Sequence, residues 1–278
     1  MDIGIIGYGS MGRMITEKIA SSGKATGGIF VSNRSKEKLR DIPSGVTVCE
    51  NNRDLASRVG ASDTKPGIVF LCVRPADLKS VLSEIAPLLS SDSFVVSLNG
   101  SITFDMLSKI FSGKTAKVIP SVTAEVDRSQ TLVCYNDKVG DEDRQELEKL
   151  LCCFGNVIEL PENEVGMGSE LVSCMPGFIA SIFDVICSSA EKHTSIPDDQ
   201  VVKMVLQTMC ATGELMLQKN MSFEDVVTRV ATKGGITEEG TKVVYEEFPD
   251  TADLLFKKTL EKRRMTAEKA RASFEEDA

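Results

Sequence analysis

Ile3-Gly4-Ile5-Ile6-Gly7-Tyr8-Gly9-Ser10-Met11-Gly12 is the stretch that decides the fold. A short apolar run meets three glycines spaced G-x-G-x-x-G, and a helical pattern follows through Met14, Ile15 and Ile19. A strand, a glycine turn and a helix in that order form the fingerprint of a dinucleotide site. Gly7 permits the tight turn, Gly9 lets backbone approach a diphosphate, and Gly12 lets helix and strand pack closely. The free N–H groups of the helix N-terminus then face the phosphates. Tyr8, Ser10 and Met11 complete the predicted loop.

Outward from this loop, apolar β-like runs recur at Ile3–Ile6, Gly28–Val31, Val46–Cys49, Ile68–Val73, Phe94–Leu98 and Ala116–Ile119. Amphipathic stretches near 11–22, 35–41, 52–59, 76–89 and 103–110 separate them. Such alternation predicts parallel pairing and a sheet covered on both faces. Thr131–Tyr135, a charged helix near 141–153 and Val157–Leu160 extend the same domain. Strand signals then stop. Residues 165–191 and 198–219 are apolar nearly all round, which predicts burial on every side. One small helical domain cannot cover two such helices, so a homodimer built through this half is expected. The fold class is therefore α/β: a Rossmann-type, dinucleotide-binding domain over 1–160, then an all-α dimerisation domain over 161–278. The charged, helix-prone tail from Lys257 reads as a solvated face or a helix packed along a partner.

The 278 residues are 42% hydrophobic and carry a formal charge of −9, enough for a real core and the wrong sign for a nucleic-acid backbone. Eight cysteines include no C-x-x-C pair and His193 is the only histidine, so no metal site is expected. Most of these thiols lie in apolar runs and read as buried in a reducing, cytoplasmic setting. Leu171–Ala190 is long enough to suggest a membrane span, but Asp184 near its middle and Pro176 argue instead for a helix buried in protein. Asp184 itself reads equally as a satisfied buried carboxylate, and His193 as a residue near a helix end.

The end of the second strand selects the cofactor. NAD sites place Asp or Glu there for the ribose 2′-OH; this chain reads Ser32-Asn33-Arg34-Ser35-Lys36. A guanidinium pairs a 2′-phosphate in bidentate fashion, with Asn33 and Ser35 adding hydrogen bonds. NADP (NADPH) is predicted over NAD. Asn99 with Gly100, and Pro120 with Ser121, follow strands at the carboxyl edge where a nicotinamide would lie. A second glycine corner, Thr232-Lys233-Gly234-Gly235-Ile236-Thr237, leads into a helix predicted over Glu238–Phe248. Exposed N–H donors and hydroxyls there make a cradle for a small carboxylate.

Taken together, these motifs resemble those of the pyrroline-5-carboxylate reductase family over essentially the whole chain. The matching pieces are GYGSMG at 7–12, SNRS at 32–35, Val73-Arg74-Pro75, Val118-Ile119-Pro120-Ser121, Ser173-Cys174-Met175-Pro176-Gly177-Phe178 and Ala231–Thr237. The sequences IPS-V-T, SC-x-P and KGGIT-x-EG look closest to its ComER-like branch. The resemblance implies that Val73, Arg74, Pro75, Asn99 and Pro120 belong to the cofactor site. It also implies that Thr232, Gly234, Gly235, Ile236 and Thr237 hold the acid group of a cyclic imino acid at a dimer interface. Thr237 would lie near the imine nitrogen, as the catalytic residue. The activity so implied is NADPH-dependent reduction of a small cyclic imino acid, pyrroline-5-carboxylate to proline. Two alternatives stay open: an NADP-binding, reductase-like protein with a regulatory role, and a reductase of a different imino or keto acid.

Overall fold

The computed structural model describes residues 1–60 and 67–275; the last three residues of the domain expected over 161–278 lie outside them. Eight strands form one sheet: β1 (Ile3–Ile6), β2 (Ile29–Ser32), β3 (Val46–Val48), β4 (Ile68–Leu71), β5 (Phe94–Ser97), β6 (Lys114–Ile119), β7 (Ser129–Tyr135) and β8 (Gly155–Glu159), in the order β3-β2-β1-β4-β5-β6-β7-β8. Central strands buried on both faces read as unbroken apolar runs: IGII and IVFL are buried at every position. β1 pairs in parallel with both β2 and β4, so the order reverses between β1 and β4, where an open α/β sheet has its ligand crevice. Six strands are parallel, as the connections predict. β7 departs: it runs antiparallel to β6, because the segment from Pro120 to Arg128 is too short for a crossover. A 3₁₀ turn at Val122–Val126 and a left-handed Asp127 (φ 58°) return the chain there.

Helices α1 (Ser10–Ser22), α2 (Asn52–Gly60), α3 (Pro75–Ile85), α4 (Phe104–Ser108) and α5 (Asp141–Leu151) cover the sheet. Ile3, Ile5, Ile15, Ile19, Phe70 and Phe154 anchor one core layer, and Ile6, Leu55, Val69, Leu71, Leu78 and Leu82 the other. The chain leaves the sheet through Glu162, which accepts from Phe104 N at 2.8 Å and from the Lys117 ammonium at 3.0 Å. Lys117 is 2% exposed and lies over the Phe104 ring, so its buried charge is both paired and covered.

Beyond the sheet the elements are α6 (Val165–Ser169), a π-helical turn (Glu170–Cys174), α7 (Met175–Ala190), α8 (Asp198–Lys219), α9 (Phe223–Val230) and α10 (Ile236–Glu275). The helix expected over 165–191 is thus interrupted by the π turn. α9 was not foreseen from the sequence; Ser222 caps it, with Asp225 reaching back to the Ser222 N–H. The helix predicted over 238–248 and the tail from Lys257 are one helix running through Pro249. A proline costs only its own N–H bond and a clash with the carbonyl four residues earlier, and packing at the far end of α10 offsets that. Ala270 and Phe274, 7% and 4% exposed, join the core layer of Leu71, Leu78 and Met106, and Lys79 donates to the Ser273 carbonyl at 2.7 Å. At its end the tail is therefore not a free face but packs against its own chain.

Two compact units result: Met1–Pro176 with Leu260–Ala278, and Gly177–Thr259. In the second, the expectation of burial on every side does not hold within one chain. Met204, Leu206 and Leu217 on α8 and Val243, Tyr245 and Leu254 on α10 are exposed. Asp184 is exposed too. Glu162–His193 is long and apolar enough to cross a membrane by length and composition, and 6% of its most apolar window is buried. The cysteines also divide: Cys49, Cys134 and Cys187 are buried, while Cys152 and Cys210 are exposed, one after the last turn of α5 and the other on the bare face of α8.

Candidate functional site

β1 ends where Gly7 turns the chain at φ +98°, and a Cβ there would lie 2.5 Å from the Cys72 carbonyl oxygen. A Cβ on Gly12 would lie 2.0 Å from the Gly7 carbonyl oxygen, so α1 packs on the turn at a distance that excludes any side chain. A Cβ on Gly9 would meet nothing within 4 Å. Two glycines thus close the loop from behind and the third leaves open space in front, as a diphosphate requires. No acidic residue occupies the first turn of α1, so its N-terminal N–H groups face that space uncompensated. Burial pushes the Cys72 thiol up to about 12, which makes it a neutral wall behind the turn.

A cavity of about 700 Å³ opens here, lined by Gly7, Gly9, Asn33, Arg34 and Ser35 on one side and Val73 and Arg74 on the other. The sequence-predicted groups play different parts in it. Asn33 is committed to the protein: its Oδ1 accepts from Tyr8 N at 2.9 Å and its Nδ2 donates to Ser35 O at 2.8 Å. It fixes the glycine loop to the end of β2 rather than offering bonds to a phosphate. Ser32 is fully buried against Asn52 (2.8 Å). Lys36 turns to the Cys49 and Glu50 carbonyls. Arg34 is exposed with no hydrogen bond or ion pair among the described residues, and Lys38, which the sequence did not single out, lines the same cavity. No carboxylate follows β2 directly, so the residues present fit a 2′-phosphate.

Arg74 pairs with Asp77 at 2.9 Å, and Pro75 takes the first position of α3, where its missing N–H costs nothing. Asn99, 8% exposed, donates from Nδ2 to the Val73 carbonyl at 3.0 Å and so ties the ends of β4 and β5 together. Pro120 is buried at the end of β6. Ser10 and Tyr8 face a second, wider cavity of about 1140 Å³ that shares Gly9. Met11 packs against the core. The Tyr8 ring is 3% exposed; burial, and next the charge of Glu17, raise its phenol, whose oxygen has no hydrogen-bond partner among the described residues.

The second glycine corner lies wholly in the Gly177–Thr259 unit. Gly235 N donates to Thr232 O at 2.8 Å, closing a turn with Gly234 at φ +72°, the position where a turn of this kind takes glycine. A Cβ on Gly235 would fall 2.5 Å from Thr232 Oγ1. Gly234 N donates to Glu238 Oε2 at 2.7 Å, so a carboxylate oxygen of the chain itself sits on the predicted acid cradle. That contact was not foreseen, although Glu238 four residues after Gly234 on a starting helix was a legible signal. Ile236 is exposed, and the half-buried Thr237 has no side-chain partner among the described residues.

A nucleotide-type sheet with an open glycine loop, followed by a helical half, defines an NAD(P)-dependent oxidoreductase class. The model of pyrroline-5-carboxylate reductase dimerisation matches residues 162–266, and that of NADP oxidoreductase, coenzyme F420-dependent, matches residues 2–100. Pyrroline-5-carboxylate reductase 3 of Bacillus subtilis is 31% identical over 96% of this chain and 97% of its own length. ComE operon protein 4 of the same organism is 24% identical over 93% of this chain and 94% of its own. A pyrroline-5-carboxylate reductase structure from Coxiella burnetii superposes with a TM-score of 0.82 at 24% identity, over 96% of this chain and 97% of that one. The Plasmodium falciparum pyrroline carboxylate reductase with NADP bound gives 0.80 at 19% identity, over 98% and 97%. This chain belongs to the pyrroline-5-carboxylate reductase family.

Proposed function

We propose that the chain reduces a small cyclic imino acid with NADPH, pyrroline-5-carboxylate to proline first among them. The observation that carries this reading is the Gly234 N–H already holding a carboxylate oxygen at 2.7 Å. The open glycine loop supports the cofactor, as do the Plasmodium structure with NADP bound and the Bacillus reductase at 31% identity. NADPH, when bound, supplies the hydride for the C=N carbon. The chain's own part is positioning. Gly7, Gly9 and Gly12 with the α1 N-terminus seat the diphosphate, and Arg34 takes the 2′-phosphate. Thr232, Gly234, Gly235 and Ile236 seat the acid group, and the Thr237 hydroxyl supplies or relays the proton to nitrogen. Cyclic imines are partly protonated near neutral pH, so Thr237 serves the neutral fraction and orientation in a dry site does most of the work.

The proposal includes a homodimer through the 161–278 half, supported by the dimerisation match over 162–266 and by the bare apolar faces of α8 and α10. A second copy, rather than lipid, then covers Glu162–His193, and the protein is cytoplasmic without a nucleic-acid partner. Initial rates of NADPH oxidation with pyrroline-5-carboxylate, and then with other imino and keto acids, test the proposal. Turnover with Thr237→Ala should fall in kcat/KM with NADPH affinity kept. Tight NADPH binding without turnover on any acid would support the regulatory alternative.

A further inference from the structure

Arg263 on α10 passes Gly166, where a Cβ would lie 3.5 Å from its Cδ, and carries its guanidinium to the carboxyl edge of the sheet. Nε and Nη2 both donate to Glu170 Oε1, at 2.9 and 2.8 Å, and Nη2 also donates to Ser169 Oγ at 3.1 Å. Nη1 has no hydrogen-bond partner among the described residues and lies 3.6 Å from where a Cβ on Gly100 would be. Gly100 directly follows Asn99, whose amide is bonded to the carbonyl of Val73, one of the residues lining the nucleotide cavity. All of these residues belong to one compact unit.

Glu170 is 2% exposed, and its Oε2 has no hydrogen-bond partner among the described residues. It sits on the π-helical turn Glu170–Cys174. A buried carboxylate with an unused oxygen and a π turn inside a helix are both costly, and both concentrate at functional sites. Core packing alone would be served better by an apolar side chain. What the pair does achieve is a guanidinium held at two nitrogens, aimed at the end of β5 with its third nitrogen free.

We propose that Arg263 is a positioning residue for the nicotinamide, its Nη1 donating to the carboxamide oxygen while Glu170 locks the guanidinium. This rests on the NADPH reading above. In a sheet ordered β1-β4-β5, the second nucleotide of the cofactor lies over the carboxyl ends of β4 and β5, where Nη1 points. Fixing the carboxamide fixes which ring face meets the substrate. Glu170 neutralises the guanidinium, so the positive ring left after hydride transfer meets an ion pair rather than a bare cation.

The test is calorimetric binding of NADPH and of 2′-phospho-ADP-ribose, which has the same adenosine half and no nicotinamide, to the full chain. Arg263→Gln should weaken NADPH by about tenfold, as loss of one charge-assisted hydrogen bond does, and leave 2′-phospho-ADP-ribose unchanged. Arg263→Lys, which keeps charge and stem, should recover part of the loss. Glu170→Gln gives the same selective weakening if Arg263→Gln does not fold. Equal weakening of both ligands, or unchanged NADPH binding, would overturn the assignment. A wild type that binds both ligands equally well overturns the Arg263 role alone; one that binds neither overturns the cofactor reading and this role with it.

Discussion

At the scale of single residues, the cofactor reading turns on Arg34. It lines the 700 Å³ cavity exposed and without a partner among the described residues, while its neighbours Asn33 and Lys36 are bonded to the protein. Arg34→Glu should therefore raise the NADPH Kd by roughly 10- to 100-fold, the worth of charge-assisted bonds to a phosphate, and change the NADH Kd little. Titration of both nucleotides by fluorescence checks this, and equal loss of both would remove Arg34 from the 2′-phosphate. The sequence offered Arg34 and Lys36 together as cations for a phosphate, and the structure bonds Lys36 to two backbone carbonyls while Arg34 has no partner among the described residues. The sequence could not show that Asn33 is spent on the Tyr8 N–H, because that bond joins residues 25 apart in the chain.

At the scale of elements, two helix ends matter. The start of α10 presents Gly234 N–H to the Glu238 carboxylate, which under the proposed reading competes with the substrate acid for that donor and adds negative charge beside it. Glu238→Ala should lower the KM for an acid substrate severalfold with kcat little changed; an unaltered KM would mean that the corner does not hold the substrate. The other end of α10 packs into the sheet unit. Phe274→Ala removes a ring that is 4% exposed and should cost about 3 kcal/mol or more, read as a lower thermal midpoint, whereas a solvated tail would lose nothing. The sequence hides this docking because Ala270 and Phe274 are two apolar positions in a charged run, and their spacing of four shows a stripe only once a partner surface is known.

At the scale of the whole molecule, the Gly177–Thr259 unit exposes apolar side chains that one chain does not cover. Each Leu, Val or Met fully buried by a partner contributes about 1.5–3 kcal/mol, so a few of them suffice to drive association. Sedimentation at low micromolar concentration should show a dimer or larger, and the denaturation midpoint should rise with protein concentration. A monomer with a concentration-independent midpoint would remove the proposed dimer, and with it the proposal of an acid site shared between copies.

The sequence by itself determined the glycine loop, the strands of the sheet, the missing carboxylate after β2 and the family, because each is written in neighbouring residues or in a period of two or 3.6. Only the tertiary structure decided the antiparallel turn into β7, the docking of α10 against α3 and α4, the carboxylate on Gly234 and the Glu170–Arg263 pair. The pair joins residues 93 apart. Such contacts depend on how elements pack, and packing leaves no local period for a sequence to display.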